Sequence, residues 1–403
     1  MKTFLQIWWS SVSIPLVKNA QDFKAILNTL PYRGKIISFS VTWLWISKLH
    51  QQHENRNHQQ MKKENDMGSS PFTLALLRWF SENGRSMPWR ETTDPYAIWI
   101  SEVILQQTRI QQGWAYWERF MARFPKVEDL AAASEDEVLR LWQGLGYYSR
   151  ARNLHHAAKQ VVELGQFPNT MEGLKALKGV GDYTAAAIGS IAFGLPVAVV
   201  DGNVYRVLAR HYGIYTPINT TEGKKEFAAL AQSLLPAAEP SAYNQAIMDF
   251  GAIQCTPTSP RCLICPLTDS CMALRTGKVD ELPVKLKTLK IKTRKLVYVY
   301  VRWQGKTAIH RRAAGDIWQG LWEPLLYENE ELPDFPGQLL LLKKGVKHVL
   351  THRILQADFY LLKANEKPAL PDDYIWVEES ELEQYALPRL IELLLESLPE
   401  NDM

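Results

Sequence analysis

All four cysteines of the 403-residue chain lie in one short segment, spaced Cys255-x6-Cys262-x2-Cys265-x5-Cys271. Four thiolates in one loop can ligate a [4Fe–4S] cluster or a zinc ion. Zinc loops more often pair two Cys-x-x-Cys units across a longer insertion, and only one such unit occurs here, which favours iron–sulfur. Two disulfides would be expected only in a secreted protein, and the chain begins with no convincing signal peptide.

Two acidic residues stand in settings that suit catalysis. Glu102 lies in the otherwise apolar helical stretch Trp99–Thr108, with Gln106 expected one turn later on the same face. A carboxyl in apolar surroundings tends to a raised pKa and can act as a general acid, although a partly exposed helical glutamate is the default for a lone residue. Asp201 stands at an expected helix start. It is either an ordinary N-cap or a carboxylate kept ionised to stabilise a developing cation.

A glycine-rich turn is predicted between two helices at Leu177-Lys-Gly-Val-Gly-Asp-Tyr-Thr-Ala185. Gly179 and Gly181 would let this turn approach a phosphate closely, and the N–H groups that follow could bind its oxygens at a helix N-terminus. A Gly-Val-Gly turn continued by Thr-Ala is typical of a helix–hairpin–helix motif. An ordinary αα-corner is the alternative.

Helices are predicted to position these residues through most of the chain. From Pro71 to about Arg275 apolar residues recur three and four apart, most clearly in Phe72–Phe80, Ile98–Phe124, Glu135–Leu141 and Lys224–Leu235. Asp94-Pro95 and Phe167-Pro-Asn169 are expected to separate helices. No long repeat is present, which excludes a solenoid.

Beyond Leu282 the pattern changes. The basic stretch Leu282–Lys295 is interpreted as a linker that crosses a phosphate backbone, or else as a solvated connector. The apolar period then becomes two, which predicts strands and a separate α+β domain. The expected elements are a strand at Leu296–Trp303, its hairpin partner at Thr307–Arg311, a strand group at Ala357–Leu362 and a last helix from about Glu379 to Ser397.

Composition is that of an ordinary globular protein of two or three domains. Hydrophobic residues make up 46% and charged residues 22%, and the net charge is +3, so affinity for nucleic acid would come from local basic patches.

Residues 1–66 differ from the rest, with apolar runs too short to span a bilayer. We interpret them as an atypical extension, non-native if the chain starts at Met61 or Met67, with a folded accessory element as the alternative.

Together these motifs resemble the adenine DNA glycosylases of the MutY type, within the helix–hairpin–helix DNA glycosylase superfamily. The resemblance is strong from Phe72 to Arg275 and weaker in the C-terminal domain. Six motifs occur in the family's order: Pro88-Trp-Arg90, Ser101-Glu-Val-Ile-Leu-Gln-Gln-Thr108, Gly144-Leu-Gly-Tyr-Tyr-Ser-Arg-Ala-Arg-Asn153, Gly-Val-Gly, Asp-Gly-Asn-Val and the cysteine loop.

The resemblance implies a mainly α fold, a helix–hairpin–helix glycosylase of two helical subdomains with a [4Fe–4S] loop. A C-terminal α+β domain of the Nudix or MutT-like type follows it. The implied boundaries are the extension at 1–66, the glycosylase at 67–278 with its cluster loop at 255–271, the basic linker at 279–295 and the MutT-like domain at 296–403.

The resemblance also assigns roles to single residues. Glu102 matches the acid that protonates a flipped-out adenine at N7 and later activates water, and Asp201 matches the carboxylate that stabilises the sugar cation, electrostatically or by transient covalent bonding. Asn203 and Tyr183 match residues that support these carboxylates. The remaining matches are DNA contacts: Trp89, Arg90, Leu105 and Gln245 in the adenine pocket, and Gln107 and Tyr147 as a wedge in the base stack.

One position separates two activities within the superfamily. Bifunctional relatives of the endonuclease III type carry a lysine where this chain has Tyr183. A phenol cannot form the Schiff base that a β-lyase step requires. The resemblance therefore implies a monofunctional glycosylase.

The C-terminal domain is expected to bind rather than hydrolyse. The Glu-rich metal-binding helix of a working Nudix hydrolase is missing after Gly315–Pro324. The segment His348–His352 matches the family loop that reads 8-oxoguanine, with Leu350, Thr351 and His352 in place of Phe-Ser-His. Thr351 keeps a hydroxyl that can meet the damaged base's N7–H, whereas Leu350 lacks a stacking ring.

The predicted function is removal of adenine mispaired with 8-oxoguanine or guanine in double-stranded DNA, which initiates base excision repair. The protein is expected to be a cytoplasmic monomer, associated with the nucleoid through DNA and with no membrane. A thymine-mismatch glycosylase is a rival, disfavoured by Tyr183, by Trp89-Arg90 and by the C-terminal domain. A non-catalytic, cluster-bearing DNA-binding protein is another, disfavoured because a pure binder needs neither Glu102 nor Asp201.

Overall fold

The computed structural model describes residues 69–287, 291–328 and 332–399. The described residues from Ser70 onward form one compact unit. The predicted extension at 1–66 lies outside the described residues, and so do positions 288–290 of the predicted linker. Among the residues that are described, no helix is both long enough and apolar enough to cross a membrane.

The chain from Pro71 to Arg275 is helical almost throughout, as the sequence predicts. Short 3₁₀ turns occur at Pro88–Arg90, Cys262–Ile264 and Thr268–Ser270, and a π-helical turn at Phe250–Gln254. The α-helices are α1 Pro71–Asn83, α2 Pro95–Leu105, α3 Ile110–Arg123, α4 Val127–Ala132, α5 Glu135–Trp142, α6 Ser149–Leu164, α7 Met171–Ala176, α8 Asp182–Phe193, α9 Gly202–Tyr212, α10 Thr221–Leu234, α11 Pro240–Asp249 and α12 Met272–Arg275.

The start of α2 shows how local sequence fixes a helix end. Asp94 has extended backbone, and its carboxylate accepts a hydrogen bond from the Tyr96 N–H at 3.0 Å. Pro95 occupies the first turn, where no N–H is needed. The break predicted at Asp94-Pro95 is confirmed.

The end of α2 corrects one prediction. The apolar pattern over Ile98–Phe124 contains two helices, because α2 ends at Leu105 and α3 begins only at Ile110. Gln106 leaves the helix with ψ 113°. It therefore does not continue the helical face of Glu102, and its side-chain amide instead donates to the Thr184 hydroxyl at 3.2 Å.

Two hydrophobic cores divide the helical part into two lobes. The first lobe comprises α2 to α8, around the buried side chains of Trp99, Phe120 and Trp142. The second lobe comprises α1 and α9 to α12, around side chains such as Leu76 and Phe250, and the cysteine loop packs against it. This arrangement confirms the predicted pair of helical subdomains.

The C-terminal domain contains two sheets and a short helix. One sheet has the order β4-β1-β6-β5, with β1 and β6 parallel, and the other has the order β3-β2-β7. Their apolar inner faces and the last helix form a separate core. The strands and the helix are β1 Lys292–Arg302, β2 Lys306–Arg311, β3 Trp322–Glu323, β4 Leu325–Tyr327, β5 Gly337–Val349, β6 Arg353–Ala364, β7 Tyr374–Glu378 and α13 Arg389–Leu395.

Two predictions for this domain are wrong. The segment Lys306–Arg311 is not the hairpin partner of β1, because one isolated bridge joins them and β2 belongs to the other sheet. The predicted helix from Glu379 to Ser397 is a 3₁₀ turn at Glu379–Gln384 followed by α13. Pro388, at the N-cap of α13, has no N–H to continue a helix from the preceding residues.

The C-terminal domain docks on the first lobe. Leu321 and Ala386 are fully buried in the core of that lobe. Arg152 of α6 donates to the Gln319 carbonyl at 2.5 Å, and Arg311 of β2 bonds to Glu135 at 2.8 Å. This contact fixes where the hairpin between β5 and β6 lies relative to the helices.

Candidate active site and DNA-binding surface

Glu102 is held in the interior of α2. The residues Tyr96–Ile104 of this helix are all buried, and Glu102 is 8% exposed. Tyr183, in the first turn of α8, donates its hydroxyl to Glu102 Oε2 at 2.6 Å. Glu102 is therefore not the partly exposed helical glutamate that a lone residue would suggest.

Burial is the main influence on the pKa of Glu102 and raises it above its ordinary value. The hydrogen bond from Tyr183 and the charge of Arg90 lower that pKa, whereas the charge of Asp201 raises it further. Burial also raises the pKa of Tyr183, so its phenol stays neutral and donates. A carboxyl in this position holds its proton more firmly than an exposed one, as a general acid requires.

Asp201 is the N-cap of α9, as predicted. Its Oδ1 accepts from the Val204 N–H at 2.8 Å, and its Oδ2 accepts from the Asn203 side-chain amide at 2.7 Å. Burial raises the pKa of Asp201 more than these hydrogen bonds and the charge of Arg206 lower it. The helix start favours the ionised form of Asp201, as the sequence suggests, but burial opposes it.

A cleft of about 560 Å³ lies between the two lobes. Glu102 lines it from α2 of the first lobe, and Asp201 lines it from the start of α9 in the second. The cleft also contains other residues that the sequence singles out: Tyr183, Asn203, Trp89, Arg90, Leu105 and Gln245. These residues from five separate elements thus converge on one space.

Asp249 is a cleft residue that sequence reasoning missed. Its carboxylate is fully buried at the end of α11, where Arg90 donates to it through both guanidinium nitrogens at 2.7 and 2.9 Å. Arg85 also binds it, through Nε at 3.0 Å and through its backbone N–H at 3.1 Å. Burial raises the pKa of Asp249, but the two arginines outweigh it and hold the pKa below its ordinary range.

A chain of hydrogen bonds joins Asp201 to the cysteine loop. The side-chain oxygen Oδ1 of Asn203 accepts a hydrogen bond from Arg206 at 2.8 Å, and Arg206 Nε donates to the backbone carbonyl of Cys255 at 2.7 Å. Arg206 also donates to the Gly251 carbonyl at 2.6 Å. The loop and the start of α9 are thus held in a fixed relation.

The two residues predicted to form a wedge share a rare backbone conformation. Gln107 has φ 58° and Tyr147 has φ 48°, in the left-handed region that non-glycine residues seldom adopt. Such conformations persist where the surroundings enforce them and cluster at functional sites. Both side chains are exposed, Tyr147 by 46% although it is aromatic.

Tyr147 meets the hairpin of the C-terminal domain. Its hydroxyl forms a hydrogen bond with the hydroxyl of Thr351, in the loop between β5 and β6. Tyr147, Thr351 and His352 line a cavity of about 490 Å³ between the first lobe and this domain, together with Trp318. Thr351 and His352 are exposed. The predicted wedge and the predicted reading loop therefore lie side by side.

The glycine turn connects α7 to α8, as predicted. Gly179 has φ 79°, and a Cβ on it would lie 2.6 Å from the Cβ of Asn153. Gly181 is the N-cap of α8, and because glycine has no side chain it cannot cap the first N–H groups of the helix. A Cβ on Gly181 would meet no atom within 4 Å. The turn leaves an open helix N-terminus at the surface, which suits a phosphate.

The four cysteines are free thiols in a loop next to the second lobe. Burial is the largest of the influences that raise the pKa of Cys265 to about 11, and the charges of Cys255, Cys271 and Cys262 also raise it. Arg210 Nη1 lies 3.5 Å from Cys255 Sγ. Within the described ranges, no three His, Cys, Asp or Glu side chains are grouped as ligands of a metal ion.

Two known families match the chain. Residues 100–236 match the HhH-GPD superfamily of base excision DNA repair proteins, and residues 297–397 match the NUDIX domain. The architecture is accordingly a helical helix–hairpin–helix part followed by a Nudix-like domain that contains two sheets.

Curated relatives include adenine DNA glycosylases from bacteria and animals. That of Buchnera aphidicola subsp. Schizaphis graminum is 35% identical over 62% of this chain and 73% of its own length. That of Buchnera aphidicola subsp. Baizongia pistaciae is 35% identical over 70% of this chain and 84% of its own length. The Homo sapiens enzyme is 43% identical over 52% of this chain, a match that spans 41% of that longer protein.

Solved structures with a similar fold include a thermostable thymine-DNA glycosylase. It shares 31% sequence identity with this chain at a TM-score of 0.48. The match covers 51% of this chain and 95% of that one.

Proposed function

The chain belongs to the adenine DNA glycosylase family, and from this premise we propose that its substrate is adenine mispaired with 8-oxoguanine or guanine in duplex DNA. It hydrolyses the N-glycosidic bond as a monofunctional enzyme and so initiates base excision repair. The observation that carries the proposal is the shared cleft of Glu102 and Asp201, with Glu102 hydrogen-bonded to Tyr183.

Glu102 is the general acid. The adenine nucleoside leaves the base stack and enters the cleft. Protonated Glu102 transfers its proton to N7 of the base, and the electron pair of the C1′–N9 bond then passes to the purine. The pKa of Glu102, raised first of all by burial, supports this role, and the Tyr183 hydroxyl holds the other carboxyl oxygen in place. The same carboxylate next takes a proton from the water that adds to C1′.

Asp201 stabilises the positive charge that develops on the sugar. Burial raises the pKa of Asp201, whereas the hydrogen bonds from Val204 and Asn203 and the cation of Arg206 lower it and so favour the charged form that this role needs. The division resembles two-carboxylate glycoside hydrolysis, in which one carboxyl is an acid and the other is charged. The fixed position of Asp201 at a helix start supports stabilisation without rearrangement during the reaction.

Trp89, Arg90, Leu105 and Gln245 contact the flipped adenine. Trp89 is buried against Trp114 and Trp117, with ring centroids 5.6 and 5.5 Å away, which makes it a rigid wall. Arg90 is held in one orientation by the buried carboxylate of Asp249. Such preorganised walls favour one base shape and orientation.

The absence of a lyase step follows from Tyr183. Its side chain is a phenol that donates to Glu102, and it cannot form a Schiff base with the sugar. The product is therefore an intact strand with an abasic site.

The base opposite adenine is read by the loop between β5 and β6. Thr351 presents a hydroxyl next to that of Tyr147, and His352 is exposed beside it. Gln107 and Tyr147 fill the gap left in the base stack, which an aromatic ring suits. The Thr351 hydroxyl accepts the N7–H that 8-oxoguanine has and guanine lacks.

Gly179 and Gly181 form the hairpin that binds a DNA phosphate at the open start of α8. The four cysteines fit a [4Fe–4S] cluster, because they are free thiols from one short loop and the Arg210 guanidinium lies 3.5 Å from the Cys255 sulfur. When bound, such a cluster would hold the cysteine loop in one conformation. The hydrogen bonds from Arg206 and Arg210 to the loop then fix its position against α9.

The proposal also covers the domains of the protein, its oligomeric state and its location. The glycosylase occupies residues 67–278, and a MutT-like domain that binds without hydrolysing nucleotides occupies the C-terminal part up to residue 403. Strand β1 of that domain begins at Lys292, so the basic linker from 279 ends before the predicted position 295. The protein acts as a monomer on double-stranded DNA in the cytoplasm, associated with the nucleoid.

A base-release assay tests this function. Duplexes with A:8-oxoguanine, A:G and T:G pairs are incubated with the enzyme, and strand breakage is measured with and without alkali. We expect adenine release from the first two duplexes, no thymine release, and strand breakage only after alkali. Thymine release would favour the thymine-mismatch rival, and breakage without alkali would contradict the monofunctional assignment. Duplex binding with no base release would indicate a non-catalytic DNA-binding protein.

A further inference from the structure

A second cavity adjoins the cleft that contains Glu102. Its volume is about 720 Å³, within the range of small-molecule sites. Four residues line both spaces: Arg85, Arg90, Ile191 and Gln245. The cleft and this adjoining cavity are therefore neighbours across a partition of side chains.

The four side chains of this partition differ in how strongly their contacts hold them. Arg85 and Arg90 are both held by the buried carboxylate of Asp249. Gln245, on α11, donates a hydrogen bond to Ser241 Oγ at 3.0 Å, and Ile191 is a half-buried apolar side chain on α8. A rotation of Gln245 requires the exchange of a neutral hydrogen bond, whereas a movement of Arg90 would leave a buried charge unpaired.

Removal of a base from duplex DNA creates a problem of product release. The flipped nucleoside remains joined to the strand on both sides, so its sugar and the duplex occupy the mouth of the cleft. The base lies deepest, against the residues proposed to contact it. Once the glycosidic bond is broken, free adenine can leave through the mouth only after the DNA has left.

We propose that free adenine leaves through the adjoining cavity, with Gln245 and Ile191 as the gate, while the abasic DNA is still bound. This inference rests on the proposed adenine glycosylase function. Arg90 and Gln245, which are proposed to contact the base, also border the adjoining cavity, so the base end of the cleft faces it.

The chemistry of the adjoining cavity suits a neutral, planar purine. Phe80 and Arg90 line its wall, with the Arg90 guanidinium over the Phe80 ring at 5.5 Å from the centroid, so an aromatic ring and a planar cation border the space that a base would enter. The hydroxyl of Ser241, which now accepts from Gln245, can hydrogen-bond to a purine nitrogen when Gln245 turns away. No covalent step is involved.

The test uses variants that obstruct the adjoining cavity without touching the cleft. Ala238 and Thr93 are exposed and line only the adjoining cavity, so Ala238→Trp and Thr93→Trp narrow it from two sides. Ala237→Trp is the matched control, because Ala237 is exposed and lines neither space. The substrate is a duplex with radiolabelled adenine opposite 8-oxoguanine, in single turnover with the full chain.

Two quantities are measured from the same reaction. Alkaline quenching gives the rate of bond cleavage, and rapid gel filtration gives the rate at which labelled adenine separates from the protein–DNA complex. We expect equal cleavage in all four proteins, with adenine release slowed about tenfold in Ala238→Trp and Thr93→Trp only. Equal release in all proteins would overturn the exit route, and so would wild-type adenine that leaves only together with the DNA. No labelled adenine in the wild-type quench would instead refute the proposed function.

Discussion

Glu102 differs from the surface glutamates of this chain in its burial and in the phenol that donates to it. If it is the proton donor, Glu102→Gln keeps the shape and the Tyr183 contact but has no acidic proton. We expect the single-turnover rate of adenine release to fall roughly a thousandfold, the usual contribution of a positioned acid. Affinity for a mispaired duplex should be nearly unchanged, as measured by equilibrium binding.

The control for this substitution is Glu163→Gln, on the exposed side of α6. It makes the same change of side chain outside the cleft and should leave the rate unchanged. Full activity in Glu102→Gln would show that another group supplies the proton.

The pKa of Glu102 also predicts how stability depends on pH. Its folded-state pKa is raised, mainly by burial, so the folded protein binds this proton more tightly than the unfolded chain does. The stabilisation is complete below the unfolded pKa and is lost as pH rises through the folded pKa. Glutamine has no proton to lose, so Glu102→Gln should gain stability relative to wild type as pH rises from acid to neutral.

Urea unfolding at a series of pH values measures this difference. The gap in free energy of unfolding between Glu102→Gln and wild type should widen with pH. Glu163→Gln should show no such widening. A gap that is constant with pH would mean that folding does not shift the pKa of Glu102, which would remove this support for its role as the acid.

At the scale of elements, two substitutions in the turn between α7 and α8 separate its contribution to protein stability from its contribution to phosphate binding. Gly179→Ala places a Cβ 2.6 Å from Asn153 Cβ at a positive φ, and should cost roughly 1–2 kcal/mol of stability. Gly181→Ala meets open space at φ −92°, so its stability should change by less than about 0.5 kcal/mol. Its methyl group nevertheless obstructs the surface that a phosphate approaches, and duplex affinity should fall several-fold.

Denaturant unfolding and binding to undamaged duplex at fixed salt measure the two effects. Each variant serves as the other's control, since one mainly changes stability and the other mainly changes binding. Wild-type affinity in Gly181→Ala would contradict phosphate binding at this helix start.

Helix starts were predictable because their causes are local. The caps at Asp94 and Asp201 act on N–H groups within three residues, so the sequence displays cause and effect together. Strand pairing was not predictable in the same way. Strand β1 pairs in parallel with β6, with Val297 opposite Asp358, and no local pattern specifies that partner. Strand β5 was missed because bulges between Leu341 and Val346 interrupt its alternation.

At the scale of the whole molecule, the contacts that complete the site come from residues far apart in sequence. Asp249 lies 159 residues from Arg90 and 164 from Arg85, and a lone aspartate at a helix end carries no sign of either partner. The residues predicted in the cleft were found through motifs, each of which is short. What joins them is the meeting of two lobes, which only the packing of their cores determines.

The contact between Tyr147 and Thr351 joins the first lobe to the C-terminal domain across 204 residues of sequence. If the Thr351 hydroxyl meets the N7–H of 8-oxoguanine, Thr351→Ala should weaken the preference for A:8-oxoguanine over A:G by about fivefold, or about 1 kcal/mol, the usual net value of one hydrogen bond. Thr351→Ser keeps the hydroxyl and should keep the preference. Single-turnover rates and affinities on both duplexes provide the ratio. An unchanged ratio in Thr351→Ala would leave the shape of the docked domain, rather than this hydroxyl, as the source of discrimination.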